Sequence, residues 1–176
     1  DIPDRGIINC HLAYLPHNRG MNPNAWSIVE DTPAGVSLHY MEPEVDTGPL
    51  IDREQVKRRP DDDGKSLYGR LERTMFQLFV DTWPAIRDDE IVPIKQDLDA
   101  GSYHYKEAFM NLCEIDPNRT VSAGKFLDRL RALTFKPYDN AYVERDGERY
   151  YLEVSVTHEK DADDDGVHWN MPEYDE

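Results

Sequence analysis

Asn9 and His11 stand two residues apart at the end of a short apolar run, Gly6-Ile7-Ile8-Asn9-Cys10-His11. In a strand, residues i and i+2 point to the same face, so this run would present a carboxamide beside an imidazole. The pair suits acyl transfer. An amide can donate to a developing oxyanion while the imidazole donates alongside it or manages the proton. A third group follows the extended stretch Gly35-Val36-Ser37-Leu38-His39-Tyr40-Met41, where Glu42-Pro43-Glu44-Val45-Asp46-Thr47-Gly48 reads as a loop. If the two strands pack together, Asp46 can orient or charge-stabilise His11, as the third member of a triad does. Cys10 should face away from His11, which argues against a Cys-His nucleophile. An Asn-x-His pair alone more often ends a strand for structural reasons. The order of the whole segment shifts that balance.

The elements that would hold these groups are partly legible. Residues 16 to 25 carry turn chemistry, and Trp26 to Glu30 could form a short helix stopping at Thr32-Pro33. Ile51 to Val56 reads as another extended piece. Residues 65 to 87 are the clearest helix, with Leu67, Leu71, Met75, Leu78, Phe79, Trp83 and Ile86 on one stripe, Asp63 or Ser66 as its cap and Pro84 near its end. That aromatic stripe reads as core. Residues 88 to 120 look mixed and loop-rich. Ser122 opens a second helix that ends at Phe135-Lys136-Pro137. A hairpin follows, Ala141 to Arg145 and Glu148 to Thr157, around an Asp146-Gly147 pair that signals a type I′ turn.

Composition bounds the partners. The chain has 176 residues, 36 acidic against 20 basic, and a formal charge of -16. Phosphate backbones are held by clustered Lys and Arg, so a nucleic-acid partner is disfavoured. The acidic, Lys-poor balance, with runs such as Asp61-Asp62-Asp63, suits a high-salt, halophilic cytoplasm; ordinary solvated loops are the simpler alternative. Two cysteines, Cys10 and Cys113, offer neither a disulfide framework nor metal-ligand spacing, and the six histidines form no metal motif. We therefore expect no metal. No apolar run approaches a membrane span and no signal peptide is visible, so the chain reads as cytoplasmic and reduced, without a membrane partner.

The string Ile8-Asn9-Cys10-His11-Leu12-Ala13-Tyr14-Leu15-Pro16-His17-Asn18-Arg19-Gly20, then Pro23-Asn24-Ala25-Trp26-Ser27, Thr32 to Met41 and Asp46-Thr47-Gly48-Pro49-Leu50-Ile51, resembles the formyltetrahydrofolate-dependent formyltransferases. The Asn-Arg-Gly and Pro-Asn-x-Trp-Ser wording looks most like the nucleotide-sugar N-formyltransferases. Phe126 to Thr134, leading through Pro137 and Asn140-Ala141-Tyr142 into the hairpin, is also similar to theirs. Leu12-Ala13-Tyr14 replaces the Pro-Ser-Leu common in relatives acting on other amines, which favours the sugar branch.

The resemblance implies an α/β fold, the C-terminal part of a Rossmann-like formyltransferase domain followed by a helix and a β-hairpin. It implies Asn9, His11 and Asp46 as the catalytic groups, the segment Glu42, Pro43, Glu44, Val45 and Asp46 facing the pterin of 10-formyltetrahydrofolate, and Arg131, Tyr138, Asn140 and Tyr142 near the nucleotide of an aminosugar substrate. We expect a partial catalytic domain at 1–120, a helix-and-hairpin subdomain at 121–158 that forms a homodimer, and an acidic disordered tail at 159–176. The chain starts without Met, and the family's N-terminal half is expected upstream of it. Methionyl-tRNA formylation is the nearest alternative. A non-catalytic piece that binds folate or nucleotide, or serves dimerisation, is the alternative from another class.

Overall fold

A computed structural model describes residues 3–161. Its central sheet has three antiparallel strands in the order β1 (Ile8–His11), β3 (Gly35–Tyr40), β4 (Leu50–Gln55). Two-residue strands β2 (Arg19–Gly20) and β5 (Tyr103–His104) pair in parallel beside it. On β3, Val36 and Leu38 turn to the helical side and are fully buried. Ser37 and His39, of opposite parity, turn to the other face.

Helix α2 (Gly64–Arg87) supplies most of the core. Its Leu67, Leu71, Met75 and Leu78 meet Val36 and Leu38 of β3 and Ala25 and Ile28 of α1 (Pro23–Val29). Each fully buried leucine contributes roughly 1.5–3 kcal/mol. Asp63 and Ser66 both act at the N-terminus, in a reciprocal capping box. Pro84 lies inside the last turn. Trp83, expected on the buried stripe, is 45% exposed; Thr82 holds the buried position beside it and donates to Asp52 at 3.3 Å.

Helix α1 begins three residues before the expected Trp26. Pro23 sits at the first helical position, where its missing N–H costs nothing, and Asn22 adopts the left-handed conformation ahead of it. The stretch expected to be loop-rich contains helix α3 (Lys106–Cys113), which has no side-chain cap and is fixed instead by packing of Phe109 and Cys113. Helix α4 (Ala123–Leu133) is capped by Ser122, whose hydroxyl accepts from Lys125 N–H. Its Ala132 joins the core of α1, α2 and β3, while Leu133 packs with Cys113 and Ala141.

The hairpin pairs β6 (Ala141–Arg145) with β7 (Glu148–Leu152). Asp146 and Gly147 both have positive φ, 53° and 80°, as a type I′ turn requires. The second strand stops at Leu152 and not at Thr157. Val154 N–H instead donates to the Thr134 hydroxyl at 3.2 Å, which draws the chain back to the end of α4. Of the tail expected from 159, Glu159–Asp161 form one 3-10 turn; the rest, with Trp169 and Tyr174, lies outside the described residues.

Candidate active site

Antiparallel register brings four polar groups to one face: Asn9 lies directly opposite His39, and His11 opposite Ser37. Ser37 holds the chain that leaves β1, accepting from Leu15 N–H at 3.1 Å and donating to Ala13 C=O at 2.8 Å. The register of β3 with β4 slips between Leu38 and His39. Such bulges re-aim a side chain, and His39 lies beside this one, with 1% of its surface exposed.

Asp46 enters from the loop between β3 and β4. Its φ of 56° is left-handed, a conformation Asp tolerates better than most residues. Gln96 secures that turn by donating to the carbonyls of Asp46 and Gly48 at 3.0 and 2.6 Å. Gly48 could not be larger, because a Cβ there would lie 1.8 Å from the Tyr40 carbonyl. The carboxylate of Asp46 accepts from Gly20 N–H at 2.9 Å and from the Asn9 amide at 3.3 Å. It lies 3.4 Å from His11 Nε2 and 3.6 Å from His39 Nε2. Gly20 has φ 91°, and a Cβ on it would meet the His104 carbonyl at 2.4 Å. The β2–β5 contact thus sets the position of the N–H that Asp46 needs.

Electrostatics follow from this geometry. Burial lowers the His11 pKa, Asp46 pulls it up, His39 pushes it down again and the Asn18 backbone pulls it up; the net result lies below the ordinary imidazole value. His11 Nε2 is buried with no hydrogen-bond partner, since the 3.4 Å approach to Asp46 does not amount to a bond. Burial acts to raise the Asp46 pKa, but the contact with His39, the charge of His11 and the Gly20 N–H outweigh it, and the carboxyl stays below its ordinary range. At neutral pH the site therefore holds a carboxylate beside a neutral His11. This differs from the simple expectation that Asp46 would sustain an imidazolium.

The loop Glu42–Val45 is exposed beside the buried Asp46, leaving its backbone open to a planar ligand. Tyr138 and Asn140 line a cavity of about 450 Å³ with Asn22, Tyr68, Phe109 and Phe135. Arg131 and Tyr142 do not join them. Arg131 is 9% exposed, and its guanidinium is committed to the Pro60 and Asp62 carbonyls at 2.6 and 2.8 Å and to Asp128 at 2.6 Å, so it braces the protein. Tyr142 belongs to the hairpin, under Arg149 and beside Tyr151. Among the described residues no cluster of His, Cys, Asp and Glu could hold a metal. Sequence reading missed His39 and Gln96. His39 carried a signal, as one of two polar residues alternating with Val36, Leu38 and Tyr40 on β3; Gln96 sits in a loop and carried none.

Residues 1–82 match the family model described as formyl transferase, and residues 108–158 match the N-formyltransferase dimerization C-terminal domain. The dTDP-4-amino-4,6-dideoxyglucose formyltransferase of Mycobacterium tuberculosis is 32% identical over 157 residues, 89% of this chain and 67% of that protein. A methionyl-tRNA formyltransferase of Lachnospira eligens is also 32% identical, over 84% of this chain but 45% of its own length. The structure of a 4-N formyltransferase from Francisella tularensis superposes with a TM-score of 0.82 at 29% identity, covering 86% of this chain and 62% of that one. This chain therefore spans about two thirds of the sugar-modifying relatives and under half of the tRNA-modifying one.

Proposed function

The chain belongs to the formyl transferase family, and from that membership we propose that it transfers a formyl group from 10-formyltetrahydrofolate to the amino group of a nucleotide-linked aminosugar. The observation that carries this reading is the convergence of Asn9, His11 and Asp46 at one face of the sheet, with His11 Nε2 buried and unpartnered. In the reaction the amine attacks the formyl carbon, a C–N bond forms and the carbonyl becomes an oxyanion. The Asn9 amide is the donor for that oxygen, worth on the order of 3 kcal/mol. The attacking nitrogen loses its proton to His11, directly or through Asp46. When the bond from N10 to the formyl carbon breaks, the same proton goes to N10, so His11 ends neutral as it began. The lowered His11 pKa suits this cycle, because the group must start as a base.

The exposed Glu42–Val45 backbone is the surface for the pterin. Tyr68, Phe109, Phe135 and Tyr138 form aromatic walls on which a base can stack, with Asn22 and Asn140 able to pair with its edge. On this reading residues 1–120 carry the chemistry and 121–158 mediate association. The sugar reading is favoured over methionyl-tRNA by the longer shared span and by the charge of -16. Acidity and the free thiols of Cys10 and Cys113 fit a cytoplasmic, high-salt setting.

Mass spectrometry after incubation with formyl folate and dTDP-4-amino-4,6-dideoxyglucose should show a gain of one formyl group; robust formylation of methionyl-tRNA in its place would overturn the reading. The hairpin supplies the dimer surface, since Tyr150 and Tyr151 are each 51% exposed on a two-stranded ribbon too small to bury them. Sedimentation should show a dimer whose dissociation constant rises about tenfold or more for Tyr150→Ser. A monomer at high concentration would remove this role.

A further inference from the structure

His39 is fully enclosed at the reacting face, yet the reaction as written does not use it. Its Nδ1 lies 2.8 Å from the Tyr40 carbonyl. A carbonyl can only accept, so Nδ1 carries a hydrogen; in the neutral ring that tautomer leaves Nε2 as an acceptor. That lone pair meets the Asn9 amide nitrogen at 3.2 Å. The same nitrogen reaches Asp46 at 3.3 Å.

We propose that His39 is a positioning residue that selects the orientation of the Asn9 carboxamide, keeping its N–H₂ end and not its oxygen toward the reacting carbonyl. This rests on the formyl-transfer reading and goes further by naming what fixes the oxyanion donor. A carboxamide has two ends of nearly equal shape and opposite hydrogen-bonding sense. Presenting the oxygen to a developing oxyanion would be repulsive. Asp46 also favours the N–H₂ end, but it lies on the proton path and ceases to be a pure acceptor whenever it holds the proton. The Tyr40 carbonyl holds the ring from the other side, so while the ring is neutral its acceptor stays at Nε2. The two contacts of Asn9, 3.2 and 3.3 Å, lie at or just beyond the long end of ordinary hydrogen bonds. An oxyanion can therefore draw one N–H away while the other contact retains the orientation.

Two side chains separate this role from simple packing. Asparagine at position 39 can still reach the Tyr40 carbonyl but leaves the Nε2 position empty, whereas glutamine can place an acceptor there. In the intact protein, His39→Asn should lower kcat about 10- to 100-fold with KM for both substrates nearly unchanged, and His39→Gln should recover much of that loss. In an Asn9→Ala background His39→Asn should cost nothing further. A full additional loss there, or wild-type kcat in His39→Asn while the wild-type protein formylates normally, would overturn the proposal and leave the formyl-transfer reading intact. Absence of formyl transfer by the wild-type protein would remove the reading itself. Nitrogen-15 NMR of the wild-type ring supplies a test independent of folding: the proposal requires the Nδ1–H tautomer, and an Nε2–H tautomer or an imidazolium would refute it.

Discussion

The buried polar clusters around Asp62 and Asp46 are built differently. Around Asp62, which is 4% exposed, Arg70 forms an ion pair, Arg59 N–H donates at 2.6 Å and Arg131 binds the Asp62 carbonyl at 2.8 Å. These contacts are short and charge-assisted, with only the Nε atoms of Arg70 and Arg131 left over. Around Asp46, 8% exposed, the approaches of Asn9, His11 and His39 run from 3.3 to 3.6 Å, and His11 Nε2 has no hydrogen-bond partner. A cluster that only holds shape can commit its atoms to short bonds. One that must change partners during a reaction has to keep them long and partly free, with its rigidity supplied from behind, here by Gly20, Gln96 and Ser37.

The sharpest way to break this comparison is Asp46→Asn. Asparagine tolerates the left-handed backbone at this position, so the change tests the charge and not the turn. Single-turnover kcat should fall roughly a thousandfold or more, with folate binding little changed. On the proposed mechanism His11 and Asp46 serve one transition state, so adding His11→Ala should cost almost nothing beyond the poorer single variant. Near wild-type turnover in Asp46→Asn would place the two clusters in the same structural class.

The opposite result is expected at the other cluster. Arg131→Met keeps the stem that packs on the core but strands the Pro60 and Asp62 carbonyls. Stability should drop by about 2–4 kcal/mol, read by urea unfolding, while kcat per folded molecule and affinity for the nucleotide sugar stay the same. A selective loss of nucleotide affinity at unchanged stability would return Arg131 to the substrate site.

What was legible in advance follows the same division. The meeting of Asn9, His11 and Asp46 could be read because two share a strand parity and the third follows a strand through a short loop. The α2 stripe and the Asp146-Gly147 turn were readable for similarly local reasons. The bracing contacts of Arg131 could not be read, because its partners come from a loop about seventy positions earlier, and no local pattern reveals such a brace. Helix α3 was missed because tertiary packing of Phe109 and Cys113, and not a cap or a strong period, holds it. His39 lay in plain view on β3. Its role depends on register with β1, which sequence alone leaves open.

The smallest expected effect concerns His11 itself. Burial lowers its pKa below the ordinary value of 6.5 and Asp46 partly offsets this. In an NMR titration its midpoint should fall below 6.5 and move further down in Asp46→Asn, because the one carboxylate that favours the imidazolium has gone while burial and His39 remain. The sign carries through to stability. As pH falls past 6.5 the unfolded chain takes up a proton that the folded His11 still refuses, so its contribution is complete above 6.5 and is lost as pH falls through the folded value. Asp46 acts lower: its depressed pKa contributes stability that is complete above 3.8 and is lost as pH falls through its own folded value. Melting temperature should therefore decline on acidification in two stages, with the upper stage reduced in His11→Gln; His104, whose pKa burial also lowers, supplies the remainder. A His11 midpoint above 6.5 would mean that Asp46 outweighs burial; one above the pH of the reaction would mean that His11 starts as a cation and that the amine's proton must leave through Asp46 alone.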